Sequence, residues 1–136
     1  MTRDAKLMAG IILISLPSIM YGGYFLLTIL NGEMESLGLT DFQKAMFRAG
    51  HAHAGVLTLL SLIAQIFVDH AKLSKGWGWL SRVAFPTGAL LVSGGFFAAA
   101  GGEGLTRANG WIGLIYLGVA VLAAGMVTLG IGLIKK

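Results

Sequence analysis

The chain has 136 residues, of which 56% are hydrophobic and only 12% charged, with a net charge of +4 and no cysteine. A soluble domain carries about a quarter charged residues, so there are too few here to coat a water-facing surface. The missing thiols exclude disulfides, thiolate catalysis, iron–sulfur clusters and cysteine-ligated zinc. The basic residues sit mostly at the ends of apolar runs, where anionic headgroups and the orientation rule account for them, so the charge is not read as a nucleic-acid signal.

Four apolar stretches stand out, over about 7–30, 50–69, 80–100 and 111–134. Each is close to the ~20 residues that cross ~30 Å of hydrocarbon as an α-helix. Met1 to Lys6 is a short charged lead into the first. That stretch is longer than the apolar core of a signal peptide and has no small-residue cleavage site after it, so it is expected to be a retained helix. Pro17 removes one backbone donor and is expected to kink it, and Asn31-Gly32 is its stop.

Thr40-Asp41 reads as the start of the next helix. Phe42 to Arg48 continue it into the second apolar stretch, predicting one long helix from about 41 to 68. The second connection, 69–82, holds Lys72, Lys75 and Arg82 beside Trp77 and Trp79, which suits an interfacial belt. Gly94, Gly95, Ala98, Ala99 and Gly102 offer a close-packing face on the third helix. The connection from Gly101 to Gly110 is glycine-rich, and Trp111 opens the last helix. Gln65, Ser61 and Thr58 are read as interhelical hydrogen-bonding groups.

The expected fold is therefore all-α: a single transmembrane domain over 1–136, its four helices in an antiparallel bundle. Seven of the ten Lys and Arg residues fall on the side of the termini and three, Lys44, Arg48 and Arg107, on the other. The positive-inside rule then makes this a multi-pass cell-membrane (inner-membrane) protein with both termini cytoplasmic. Its expected partners are the lipid bilayer and either a second copy or a larger membrane complex, with no nucleic acid.

Arg48-Ala-Gly-His51-Ala-His53-Ala-Gly55 is the segment that could carry chemistry. Ionisable residues inside a membrane span are costly and usually face the bundle interior or a cavity. Residues two apart on an α-helix differ by ~200° about its axis, so His51 and His53 point to opposite sides and do not share one metal ion. His70 lies ~25 Å further along a continuous helix and cannot join them. A haem on either histidine would take its second ligand from Met20, from a second subunit, or leave that position open. Zinc would need Glu103, Glu33 or Glu35 as well. Either histidine could instead hydrogen-bond Tyr21, Tyr24, Thr28 or Ser93 on a neighbouring helix.

Gly50-His51-Ala52-His53 is similar to the His-x-His segment in the large subunit of haem-copper oxidases, where the two histidines ligate different haems from opposite helix faces. That resemblance implies His51 and His53 as axial ligands. The further histidine-bearing helices and the copper-binding His-His pair are missing, which excludes a whole oxidase. The overall layout also resembles hydroxylaminobenzene mutase, a family of small four-span membrane proteins with a histidine entering the second helix and a glycine soon after. His51, His53 and Gly55 occupy that place.

Three functions remain open. One is a histidine-centred site near the outer leaflet, with His51 and His53 binding haem, a metal ion or a quinone-like lipophile. The second is an accessory or scaffold subunit of a larger membrane complex. The third, implied by the mutase resemblance, is an isomerase acting on a lipophilic aromatic. There His51 or His53 would be the general acid–base, and Arg48, Glu103 and Arg107 are the candidates for orienting the substrate.

Overall fold

The computed structural model describes residues 1–135, and among them there are four long helices and no strand. All four are long and apolar enough to cross a membrane. Helix α1 spans Arg3–Leu30. Thr2 caps it, accepting a hydrogen bond from the Ala5 amide at 3.2 Å, which satisfies one of the donors a helix start leaves free. The helix runs on through Pro17 and stops at Asn31. Gly32 follows at φ +76°, a left-handed conformation that only glycine adopts freely.

Helix α2 spans Asp41–His70. Thr40 and Gln43 form a reciprocal capping box at its start, each side chain serving the other's backbone. Gln43 does more than cap. Its side chain is fully buried and its amide donates to the carbonyls of Ala100 at 2.8 Å and Gly102 at 2.7 Å. The Thr40 hydroxyl donates to the Leu105 carbonyl. The start of α2 thereby holds the 100–105 connection in place.

Helix α3 spans Lys75–Ala99, which corrects the expected start near residue 80. Trp77, Trp79 and Arg82 belong to the helix and not to a connection. Arg82 is also not a solvated interfacial charge: it is 6% exposed and paired with Asp69. Helix α4 spans Gly113–Ile134, introduced by a 3₁₀ turn at Gly110–Ile112 that Asn109 caps through Trp111 N at 2.9 Å.

Hydrogen bonds between chain ends fix the directions. Thr2 N meets Asp69 at 2.7 Å and Lys72 N meets the Gly132 carbonyl at 2.7 Å. One end of the molecule therefore collects the start of α1, the end of α2, the start of α3 and the end of α4, and the helices alternate in direction. They pack in chain order, α1 on α2, α2 on α3 and α3 on α4. The apolar core, including Ala64, Val68, Phe85, Val92, Leu122 and Leu129, lies among α2, α3 and α4, and α1 adds nothing to that cluster.

The α3–α4 seam is built on glycine. A Cβ on Gly88 would lie 2.3 Å from Leu122, one on Gly118 2.8 Å from the Val92 backbone nitrogen, and one on Gly125 2.7 Å from Ala84. Gly95 faces the Ile115 nitrogen at 2.9 Å in the same way. Backbones that close are possible only where side chains are missing. Of the small residues expected to form this face of α3, Gly95 and Ala99 are buried, whereas Gly94 is exposed with nothing near it and Gly102 lies beyond the helix at φ +132°.

Candidate functional site

Gly50 sets the position of both histidines. A Cβ there would sit 2.8 Å from the Phe97 ring and 3.0 Å from Phe96 Cβ, so its absence lets α3 close onto α2. Phe97 then stacks on Phe47 at 5.4 Å between centroids, and Phe47 meets Phe25 of α1 edge-on at 5.9 Å. This aromatic row ties three helices together at one end of the molecule.

His51 and His53 leave α2 in different directions, as their ~200° separation requires. His51 is half-buried and faces α1. Its Nε2 and Cε1 lie 3.2 Å from where a Cβ of Gly23 would be, and its Nδ1 3.5 Å from that of Gly22. The nitrogen-bearing edge of the ring is thus turned to the Gly22-Gly23 pair. His53 faces α3, exposed on one side and stacked on Phe96 at 4.8 Å. Its Nδ1 lies 2.7 Å from the Ala49 carbonyl. A carbonyl only accepts, so Nδ1 carries the proton and a neutral His53 has its lone pair on Nε2. His70, at the far end of α2, makes the same local bond to Ile66 at 2.9 Å. Among the described residues no three His, Cys, Asp or Glu side chains gather closely enough to hold a metal ion.

His51 contributes to the wall of a cavity of about 320 Å³ between α1, α2 and α3. The wall is mostly aliphatic, with Ile11, Ile12 and Ile19 from α1 and Ala89, Leu90 and Phe97 from α3. Its polar members are His51 and five hydroxyls, those of Ser15, Ser18, Thr58, Ser61 and Ser93. No carboxylate, ammonium or guanidinium group lines it among the described residues. Three of the hydroxyls are engaged by their own helix: Ser15 donates to the Ile12 carbonyl at 2.6 Å, Ser18 to Ser15 at 2.6 Å and Ser61 to Leu57 at 2.7 Å. Ser93 is only 8% exposed, and its Oγ has no hydrogen-bond partner.

The other site residues expected from the sequence lie elsewhere. Arg48 is exposed and donates to the Lys44 carbonyl at 3.3 Å. It lines a separate cleft of about 180 Å³ with Lys44, Leu26, Ile29 and Leu30. Glu103 and Arg107 are exposed on the 101–109 connection and do not line the His51 cavity. Met20 is 73% exposed and also stands outside that wall. Of the expected set, His51 alone reaches the cavity. Its companions are hydroxyls that the sequence marks only as interhelical contacts (Thr58 and Ser61), as a histidine's partner (Ser93) or not at all (Ser15 and Ser18). Their signal was present as spacing: His51, Ala54, Thr58 and Ser61 follow steps of three and four, one stripe of an α-helix.

At the opposite end of the molecule a second polar cluster joins α1, α2 and α3. The Arg82 guanidinium meets Asp69 and donates to the Gln65 carbonyl at 3.0 Å. Asp69 accepts from the Thr2 amide and hydroxyl, both at 2.7 Å. Pro86 explains the remaining bond. It has no N–H, so the carbonyl four residues earlier, that of Arg82, loses its helical donor. The Gln65 amide donates to that carbonyl at 3.1 Å.

No protein-family model, curated protein or solved structure matches the chain.

Proposed function

We propose that this chain is a multi-pass membrane protein that binds a small, flat, quinone-like lipophile in the cavity between α1, α2 and α3, with His51 at one end of the ligand. The observation that carries the reading is the cavity itself, an aliphatic space with no formal charge and a few fixed hydrogen-bonding groups, the common form of a small-ligand site. Its walls suit a molecule that partitions into the bilayer. Metal ligation has less support. A haem iron would have to approach the nitrogen-bearing edge of His51, and α1 covers that edge at Gly22 and Gly23.

The orientation follows from charge. With Arg82 neutralised by Asp69, the end that holds the start of α1 and the end of α4 still carries Arg3, Lys6, Lys72, Lys75 and Lys135, against Lys44, Arg48 and Arg107 at the other. The positive-inside rule puts the first end in the cytoplasm and His51 toward the outer leaflet. The chain has no cysteine of its own, so single cysteines report cleanly. Thr106→Cys should react in intact cells with a maleimide that cannot cross membranes, and Ser74→Cys should not. The reverse pattern would overturn the orientation.

Ligand binding is tested on detergent-purified protein titrated with a short-tailed 1,4-benzoquinone. One saturable site per chain is expected, and it should be lost in Ala54→Trp, which fills the cavity from α2. Non-saturating uptake equal in both proteins would overturn the reading. So would a Soret absorption band in protein from iron-replete cells, which would instead favour haem.

A further inference from the structure

Hydroxyls on helices usually satisfy themselves by donating to a carbonyl three or four residues back. Ser15, Ser18, Thr28 and Ser61 all do this, at 2.6 to 2.7 Å. Ser93 does not. It is 8% exposed, it contributes to the cavity wall, and its Oγ is buried with no partner. A hydroxyl offers one proton and two lone pairs. The protons of Ser15, Ser18 and Ser61 are already spent, so toward a ligand those three groups can only accept. Ser93 and Thr58 still have their protons to give, and of the two oxygens only that of Ser93 is fully buried without a partner.

We infer that Ser93 is the donor that recognises an acceptor oxygen on the ligand, and that the cavity therefore selects lipophiles bearing a carbonyl over hydrocarbons of the same shape. The inference rests on the proposed ligand cavity and adds to it the chemical feature being read. Buried polar groups in native proteins are almost always paired, and an orphan asks for a missing partner. The Ser93 oxygen is closed off in the free protein, and a turn about its Cα–Cβ bond toward the cavity lets the ligand's oxygen supply that partner. In the free protein the unpaired hydroxyl is a destabilising feature, and in the complex it is a contact, so removing it has opposite effects on the two states.

The experiment compares Ser93→Ala with the unmodified chain in detergent, using a short-tailed 1,4-benzoquinone and the alkylbenzene of the same size that lacks both oxygens. Ser93→Ala should weaken quinone binding about three- to tenfold, the range of one neutral hydrogen bond. It should leave alkylbenzene binding unchanged within about twofold. The melting temperature of the ligand-free variant should be equal or higher. Ser81→Ala is the control. Ser81 Oγ is also buried and unpartnered, but it does not line the cavity, so this variant should leave both affinities alone. Equal loss of both probes in Ser93→Ala, or a lower melting temperature without ligand, would overturn the assignment while the cavity reading stands. If neither probe binds the unmodified chain, the cavity reading falls and the assignment falls with it.

Discussion

Helices α4 and α1 flank the central α2–α3 pair, and they are held to it by different means. On the α4 side, four glycines let the helices close onto each other, and 28% of the most apolar stretch of α4 is buried. On the α1 side only 11% of the corresponding stretch of α1 is buried. There the glycines at 22 and 23 meet nothing but the His51 ring, and Gly10 meets nothing at all. The same residue type closes one seam and leaves the other open. The difference explains where the cavity lies. The cavity survives where α1 is tethered at its end by Thr2 and bridged by the Phe25–Phe47 contact, with no backbone seam along its length.

The largest effect should come from breaking that tether. Arg82→Met takes the guanidinium from the Asp69 carboxylate, 7% exposed, and leaves it only the partly exposed N-terminal ammonium at 4.0 Å. Removing one partner of a buried ion pair costs about 3–5 kcal/mol, read as a loss of stability in denaturant titrations of the micellar protein. The released helix should also expose the cavity, so Ile11→Cys should label faster in the Arg82→Met background than in the unmodified one. Unchanged labelling would mean that the cluster around Asp69 does not hold α1.

Next in size is the closed seam. A methyl group at Gly118 would meet the Val92 backbone nitrogen at 2.8 Å and Leu91 Cβ at 2.8 Å, and backbone cannot move aside as a side-chain tip can. Gly118→Ala should lose about 1–3 kcal/mol, the usual penalty of overpacking. Quinone affinity should change little, since the seam lies away from the cavity. A larger loss of binding than of stability would show that the two sides are coupled.

The four long helices are readable from composition because apolar runs of spanning length leave few alternatives. The opposite aim of His51 and His53 is readable from helix geometry alone. The start of α3 was hidden, because Gly76, Gly78, Trp77 and Trp79 look like an interfacial connection. Arg82 was hidden for a tertiary reason: its partners, Asp69 and Thr2, lie 13 and 80 residues away in sequence. Gln43 could have been found from the Thr40-x-x-Gln43 capping pattern. From sequence Ser93 reads only as a histidine's partner, because nothing local marks a serine as unpaired.

Gly23→Ala probes the open side more gently. Its new Cβ would stand 3.2 Å from Cε1 and Nε2 of His51, close enough to push the ring a few tenths of an ångström. Stability should change by under about 1 kcal/mol, as for most substitutions away from a packed seam. The imidazole resonances of His51 should move in NMR spectra of the selectively labelled protein, and those of His53, stacked on Phe96, should not. Movement of both sets would mean that the two rings respond together despite their separate neighbours.

Gly10→Ala should have the smallest effect and the opposite sign. A Cβ at this position in α1 meets no atom within 4 Å, so there is nothing to clash with. Replacing a helical glycine by alanine reduces the backbone freedom lost on folding and is worth about 0.5–1 kcal/mol. A small gain in stability is therefore expected where Gly118→Ala gives a loss, the same chemical change answering differently on the two sides. A loss at Gly10 would instead require a surface packed against that face of α1. Cross-linking of Gly10→Cys between chains would then show whether a second copy supplies it.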